Sequence, residues 1–279
     1  MIQLGLIGSG ISRSSAPRLH VFLGELYGVP LDYRRIDSEL EAGFDFAAAL
    51  ARCAKTGFRG VNVTHPFKEE ARRRVQIADP SVARIGAINT VTFDAGGWQG
   101  TNTDYTGFAQ AFRNRFGDAA PGTVVIAGAG GVSKAMGFAL GQLGVTRIQL
   151  FDVLQDRAVD LAAALTAAGI AASAVDAASF TDAVKAADGL INGTPIGMWK
   201  SPGNPFPKSA VGGQRWAFDA VYTPLETEFL KDARTHGLDI LSGYDLFLFQ
   251  GFDAFTVFTG VQVDPADAMR KFPLPPQPN

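Results

Sequence analysis

The chain has 279 residues, 47% of them hydrophobic and 19% charged, with a formal net charge of −2. This length permits two domains, and this apolar content excludes a disordered chain. The longest basic block, Arg72-Arg73-Arg74, sits in a helical pattern and reads as a solvated face, so no nucleic-acid partner is expected.

The single cysteine, Cys53, excludes an intrachain disulfide and falls in the helix-like run "AAALARCAKTGF", where a buried structural thiol is expected. The start "MIQLGLIGSG" lacks the basic region of a signal peptide. No apolar stretch reaches the ~18 residues of a membrane span. The expectation is a cytoplasmic enzyme or binding protein with no membrane partner.

In chain order, "IQLGLIG" reads as a buried strand, followed after a Ser-rich turn by the helical "APRLHVFLGELYG". "DYRRID" and "RGVNVT" are further strands around the helix "FDFAAALARCAK", a βαβ rhythm that favours a mainly parallel sheet. "AINTVTF" and "GWQGTNTD" read as an antiparallel hairpin. From Thr123 the rhythm restarts: strand "TVVIAGAG", helix "GVSKAMGFALGQLG", strand "RIQLFDV", helix "DRAVDLAAALTAAG", strands "GLING" and "WAFDAVY", helix "ETEFLKDARTHG". The Gly- and Pro-rich "TPIGMWKSPGNPFPKSAVGG" is a long loop of the kind that carries function. The apolar helix "YDLFLFQGFDAFTVFTG" closes the pattern, and the tail "FPLPPQPN" is expected to fray. The reading is α/β with two domains: residues 1–104 with 243–279 as an α/β substrate domain, and 105–242 as a Rossmann dinucleotide domain.

The turn "GAGGVSKA" begins at Gly128 and carries the G-x-G of a dinucleotide fingerprint in Gly128 and Gly130, with Gly131 and Ala135 as a variant ending. The first glycine permits the tight turn and the second lets the backbone approach a pyrophosphate, which then meets free amides at a helix N-terminus. Asp152 ends the next strand about 24 residues on, near the ~20 expected of a carboxylate that binds the adenine-ribose 2′-OH. That carboxylate repels the 2′-phosphate of NADP. Arg157 is placed to attract one, but five residues on it also fits a helix face. NAD is the expected cofactor, ahead of NADP.

In the first half, Ser14, Thr64, Lys68, Asn89, Thr103 and Asp104 all fall near predicted strand ends, where open α/β sheets bind ligands. Lys68 follows Pro66, read as a helix start, and a lysine in a first turn needs an anion that Asp104 can supply. Such a pair can hold and exchange the proton of a hydroxyl being oxidised; a surface salt bridge is the alternative. His65, before a proline, is expected to be extended and to point into the sheet. His20 and His236 read as structural. No spacing suggests a metal.

Together "GFRGVNVTHPFKEEA", "GAINTV", "GTNTDYTGF", "GAGGVSKA", "NGTPIGM", "VYTPLETEFL" and "GYDLFLFQGFDAFTVFTG" resemble, in order and over nearly the whole chain, the shikimate/quinate dehydrogenases. The flavour is that of the NAD-dependent quinate/shikimate branch. The resemblance implies reversible oxidation of a ring hydroxyl of a cyclic hydroxy acid, with Lys68 and Asp104 as the catalytic pair. It implies that Ser14, Thr64, Asn89, Tyr222 and Gln250 hold the acid. Gly128, Ala129, Gly130, Gly131 and Val132 then form the pyrophosphate loop, and Asp152 is the ribose carboxylate. Arg157 lies beside it. Thr194, Pro195, Met198, Val221 and Gly243 wall the adenosine and nicotinamide. A monomer or homodimer is expected.

Two departures bear on substrate. The carboxylate clamp of the family is Ser-x-Ser-Pro or Ser-x-Thr-Pro, whereas "SSAP" puts Ala16 at the second hydroxyl. Losing that contact costs about 1.5–3 kcal/mol unless Ser12, Arg13 or Ser15 substitutes. In "GYDLFLFQ", bulky Tyr244 and Phe247 stand where relatives carry a methionine and smaller residues. An NADP-linked biosynthetic enzyme and a non-catalytic NAD or metabolite sensor are the competing readings. Presence of both Lys68 and Asp104 argues against the sensor.

Overall fold

The computed structural model describes residues 1–273 and resolves into two compact units. Among the described residues, one comprises Met1–Gly107 and 248–273, the other Phe108–Phe247. Residues 274–279, within the tail expected to fray, lie outside the described residues.

The first unit runs β1 (Ile2–Gly8), α1 (Ala16–Leu26), β2 (Leu31–Asp37), α2 (Phe46–Lys55), β3 (Phe58–Val63), α3 (Lys68–Arg72), α4 (Pro80–Ile85), β4 (Thr90–Asp94) and β5 (Gly97–Thr101). Its sheet has the order β2-β1-β3-β4-β5. β1 pairs in parallel with both β2 and β3, while β3-β4 and β4-β5 are antiparallel. The antiparallel part is the hairpin read in the sequence. Leu4, Leu6, Ile11, Tyr33, Ala254 and Phe258 form one apolar cluster of this unit, so the C-terminal chain completes its core.

The chain leaves through α5 (Thr103–Phe116). The second unit continues with β6 (Thr123–Ala127), α6 (Gly131–Gln142), β7 (Arg147–Phe151), α7 (Gln155–Ala167), β8 (Ala172–Ala174), α8 (Ala177–Ala186), β9 (Gly189–Asn192), β10 (Trp216–Asp219), α9 (Glu228–Thr235) and β11 (Asp239–Ser242). It returns through α10 (Gly243–Thr259), and α11 (Pro265–Lys271) follows. All pairings of this sheet are parallel, in the order β11-β10-β9-β6-β7-β8. The strand order reverses between β6 and β9, the place where such sheets bind ligands. Val125, Leu190 and Ala217 on the strands pack with Phe180, Val184, Phe229 and Leu230 on one side. Phe108 and Phe112 of α5 meet Phe218 and Trp216 edge-on at 5.0 and 5.2 Å.

The division between units falls inside α5 and α10, at 107/108 and 247/248. Each helix gives one end to each unit. Pro66 does not start a helix: it lies in the turn before α3, whose first residue is Lys68. His65 is exposed at that turn instead of pointing into the sheet. Of the other two histidines, His20 is buried and stacked on Tyr33 at 4.6 Å, whereas His236 is exposed and caps α9, its backbone N–H donating to Asp232 O at 3.2 Å.

Candidate active site

In the first unit, backbone hydrogen bonds stitch the strand ends together. Thr64 N–H donates to Ile7 O, Val63 N–H to Asn89 O, and Ile88 N–H to Lys68 O. Lys68 opens α3, and its Nζ donates to Asp104 Oδ2 at 2.6 Å. The two side chains keep 22% and 11% of their surface exposed, so the pair is largely but not wholly withdrawn from water. Asp104 sits in the first turn of α5, where the helix dipole favours a carboxylate. That turn is held by Asn102, which accepts from Tyr105 N–H at 3.1 Å and donates to Ala87 O at 2.9 Å.

Asn89 is buried, and its Oδ1 accepts from Thr103 N–H (2.8 Å), Thr103 Oγ1 (3.1 Å) and Thr90 Oγ1 (3.0 Å). Its Nδ2 has no hydrogen-bond partner among the described residues. Behind it lies a buried polar chain that the sequence reading missed. Tyr33 donates to Asn62 Oδ1 at 2.8 Å, and Asn62 Nδ2 donates to Thr90 Oγ1 at 3.0 Å. The signal was a lone asparagine within the apolar strand "FRGVNV".

Ser14 is half-buried, its Oγ 3.3 Å from the Ala16 amide and its carbonyl accepting from Arg35 Nη2 at 2.8 Å. Ala16 heads α1, and its methyl packs against the apolar cluster of Leu4, Leu6 and Tyr33. Gln250 belongs to this unit, on α10. Tyr222 belongs to the second unit, where it stacks on Phe247 at 5.5 Å and burial raises the pKa of its hydroxyl.

In the second unit Gly128 follows β6 with φ +89, and a Cβ there would lie 2.8 Å from Thr194 Cγ2. Gly130 caps α6 in extended backbone, with open space where side chains of Gly130 and Gly131 would stand. α6 starts without a side-chain cap or an acidic residue in its first turn, so its amides are available to an anion. A dinucleotide pyrophosphate fits this cradle. Ala129 is buried and Val132 half-buried. Asp152 uses both oxygens locally: Oδ2 accepts from Ala129 N–H at 2.7 Å and Oδ1 from Leu154 N–H at 2.9 Å. Arg157 is exposed in the first turn of α7.

The third-glycine position of the fingerprint holds Ser133, fully buried, with no hydrogen-bond partner for its hydroxyl. Room for it comes from Gly193, where a Cβ would fall 2.0 Å from Ser133 Oγ. Asn192 and Asp219, both fully buried at the ends of β9 and β10, tie the loops that follow. Asn192 accepts from Thr194 N–H and Oγ1 and donates to Ile196 O and Asp219 Oδ1. Asp219 also accepts from Val221 N–H at 2.9 Å and Thr227 Oγ1 at 2.6 Å. Burial drives its carboxyl up to about 6, against the pull of those donors. These knots fix Thr194, Pro195 and Val221. Met198 is exposed, and Gly243 opens α10 with no room for a Cβ against Ala220 O.

A parallel sheet with a glycine-rich turn at its switch point, and a separate unit carrying a Lys–Asp pair, define an NAD(P)-dependent oxidoreductase. Residues 6–91 match the family model of the shikimate dehydrogenase substrate binding domain. The chain is 40% identical over 268 residues to the quinate/shikimate dehydrogenase (NAD(+)) of Corynebacterium efficiens, covering 94% of each chain. It is 39% identical over 265 residues to the shikimate dehydrogenase (NADP(+)) of Streptomyces avermitilis, covering 94% of this chain and 91% of that one. The solved quinate dehydrogenase from Corynebacterium glutamicum in complex with NAD superposes with TM-score 0.91 at 38% identity, covering 97% of this chain and 98% of that one. The chain therefore belongs to the shikimate/quinate dehydrogenase family. Among the described residues no helix is long and apolar enough to cross a membrane.

Proposed function

We propose that this protein reversibly oxidises a ring hydroxyl of quinate or shikimate to the ketone, with NAD as the hydride acceptor. The observation that carries this reading is the Lys68–Asp104 pair, 2.6 Å apart and mostly shielded from water. The first unit holds the acid and the second holds NAD. When bound, NAD takes the hydride from the carbinol carbon; the chain's own residues manage the proton and the orientation. The hydroxyl proton passes to the pair: Nζ of Lys68 gives a proton to Oδ2 of Asp104 and, so freed of one, accepts the proton of the hydroxyl. In the reverse direction the pair returns it to the ketone oxygen.

Asn89 Nδ2, Thr64 and Gln250 orient the ring hydroxyls, and Ser14 meets the carboxylate. Gly128 to Val132 take the pyrophosphate, Asp152 the ribose, and Thr194, Pro195, Met198, Val221 and Gly243 line the rest. NAD is favoured over NADP because Asp152 places a carboxylate where a 2′-phosphate would lie, and Arg157 is its only flanking cation in that turn. The protein acts as a monomer or homodimer in the cytoplasm. Steady-state rates with NAD and NADP against quinate and shikimate test the reading. NADH formation with at least one acid is expected; no reduction of either cofactor by either acid overturns it.

A further inference from the structure

The carboxylate clamp of this chain lacks its second hydroxyl, because Ala16 turns a methyl into the apolar cluster. What stands next to the clamp instead is a cation. Arg35 lies on β2, exposed, with Nη2 2.8 Å from the carbonyl of Ser14. Its neighbour Arg34 is committed to Asp32 at 2.6 Å, but Arg35 has no carboxylate partner among the described residues.

The nearby acids are already engaged. Asp37, two residues further along β2, accepts from Gly10, Ile11 and Glu39 N–H groups. Glu39 accepts from Ser9 Oγ at 2.9 Å. α1 begins with no acidic residue in its first turn, and its N-cap Ser15 makes no side-chain cap. The surroundings of Ser14 therefore combine a hydroxyl, a positive helix end and a guanidinium that pairs with no carboxylate among the described residues, while the nearby Asp37 and Glu39 are held by other donors.

We propose that Arg35 is the second arm of the substrate-carboxylate clamp, replacing the hydroxyl that Ala16 lacks. The inference rests on the reading above that the substrate is a cyclic hydroxy acid. One guanidinium nitrogen fixes the Ser14 carbonyl, and the remaining N–H groups meet the carboxylate beside the Ser14 hydroxyl. A guanidinium suits this task because its planar fork serves two acceptors at once.

The test compares quinate and shikimate with their methyl esters, in the wild-type protein and in Arg35→Met and Arg35→Lys. In Arg35→Met the KM of the acids is expected to rise about tenfold to a hundredfold, with kcat little changed and the ester KM nearly constant. Arg35→Lys is expected to fall between. A purely structural role, through the Ser14 carbonyl, would raise acid and ester KM together and overturns the inference. So does an unchanged acid KM in Arg35→Met. Wild-type protein that turns over neither acid overturns the functional reading, and this inference with it.

Discussion

At the scale of single residues, two carboxylates do different work. Asp104 sits opposite a lysine at a helix start, and removing that lysine leaves it largely buried and unpaired. Lys68→Ala is expected to lower kcat by about 10²–10⁴ while NADH binding, followed by fluorescence titration, stays intact. A variant that keeps wild-type kcat would remove the pair from the mechanism. Asp152 is tied to Ala129 N–H and Leu154 N–H, so it shapes the pyrophosphate loop as well as presenting charge. Asp152→Ala removes the repulsion of a 2′-phosphate but strands the Ala129 amide, a loss of about 1–3 kcal/mol. The preference ratio should move towards NADP, while kcat/KM with NADP stays below that of the wild type with NAD. An efficient NADP enzyme from this one change would show that the loop does not need its carboxylate.

At the scale of elements, the parts that were legible are those with strong period or strong punctuation. The runs behind β1, β3, β6 and β7 are apolar and bounded by Gly or Asp, and α6 and α7 follow at the spacing of a crossover. β8 has three residues and β11 four, too short for a pattern to emerge. α8 is capped by Asp176, but its buried face is only Phe180, Ala183 and Val184, and its alanines blur the period. α5 was missed because its apolar face changes partner along its length, which reads as a boundary. Lys68 and Asp104 were legible because each charge needs a partner near a helix start. Asn192 and Asp219 were not, since a polar residue closing an apolar strand reads only as its end, and Ser133 was not, since a serine in the first turn of a helix reads as a solvated one. Ser133 and Gly193 yield a coupled prediction. Gly193→Ala puts a Cβ on Ser133 Oγ and should destabilise by about 1–3 kcal/mol, measured by thermal or urea unfolding. Adding Ser133→Gly should recover most of that loss, and additive effects would show that the two positions do not share the space.

At the scale of the whole molecule, the two units carry buried titrating groups of opposite sense. In the first, burial holds His20 near pKa 3 against an ordinary 6.5, with Asn62 opposing in part, and its Nδ1 has no partner. Folding there excludes a proton that the unfolded chain takes up, so this contribution is complete above pH 6.5 and is lost as pH falls towards 3. In the second, Asp219 is raised from 3.8 to about 6, so the folded unit keeps a proton the unfolded chain has released. Its contribution is complete below pH 3.8 and is lost as pH rises through 6. Each unit has its own sheet and core, so each feels its own group. Between pH 7 and pH 5 the first unit should lose about 2 kcal/mol and the second gain about 1 kcal/mol from these groups. Hydrogen exchange read by mass spectrometry, corrected for intrinsic rates, separates the two because it reports opening segment by segment. His20→Phe should flatten the response of the first unit alone and Asp219→Asn that of the second alone. If both units moved in the same direction, or if either substitution flattened both, neither group would be the source of the slope.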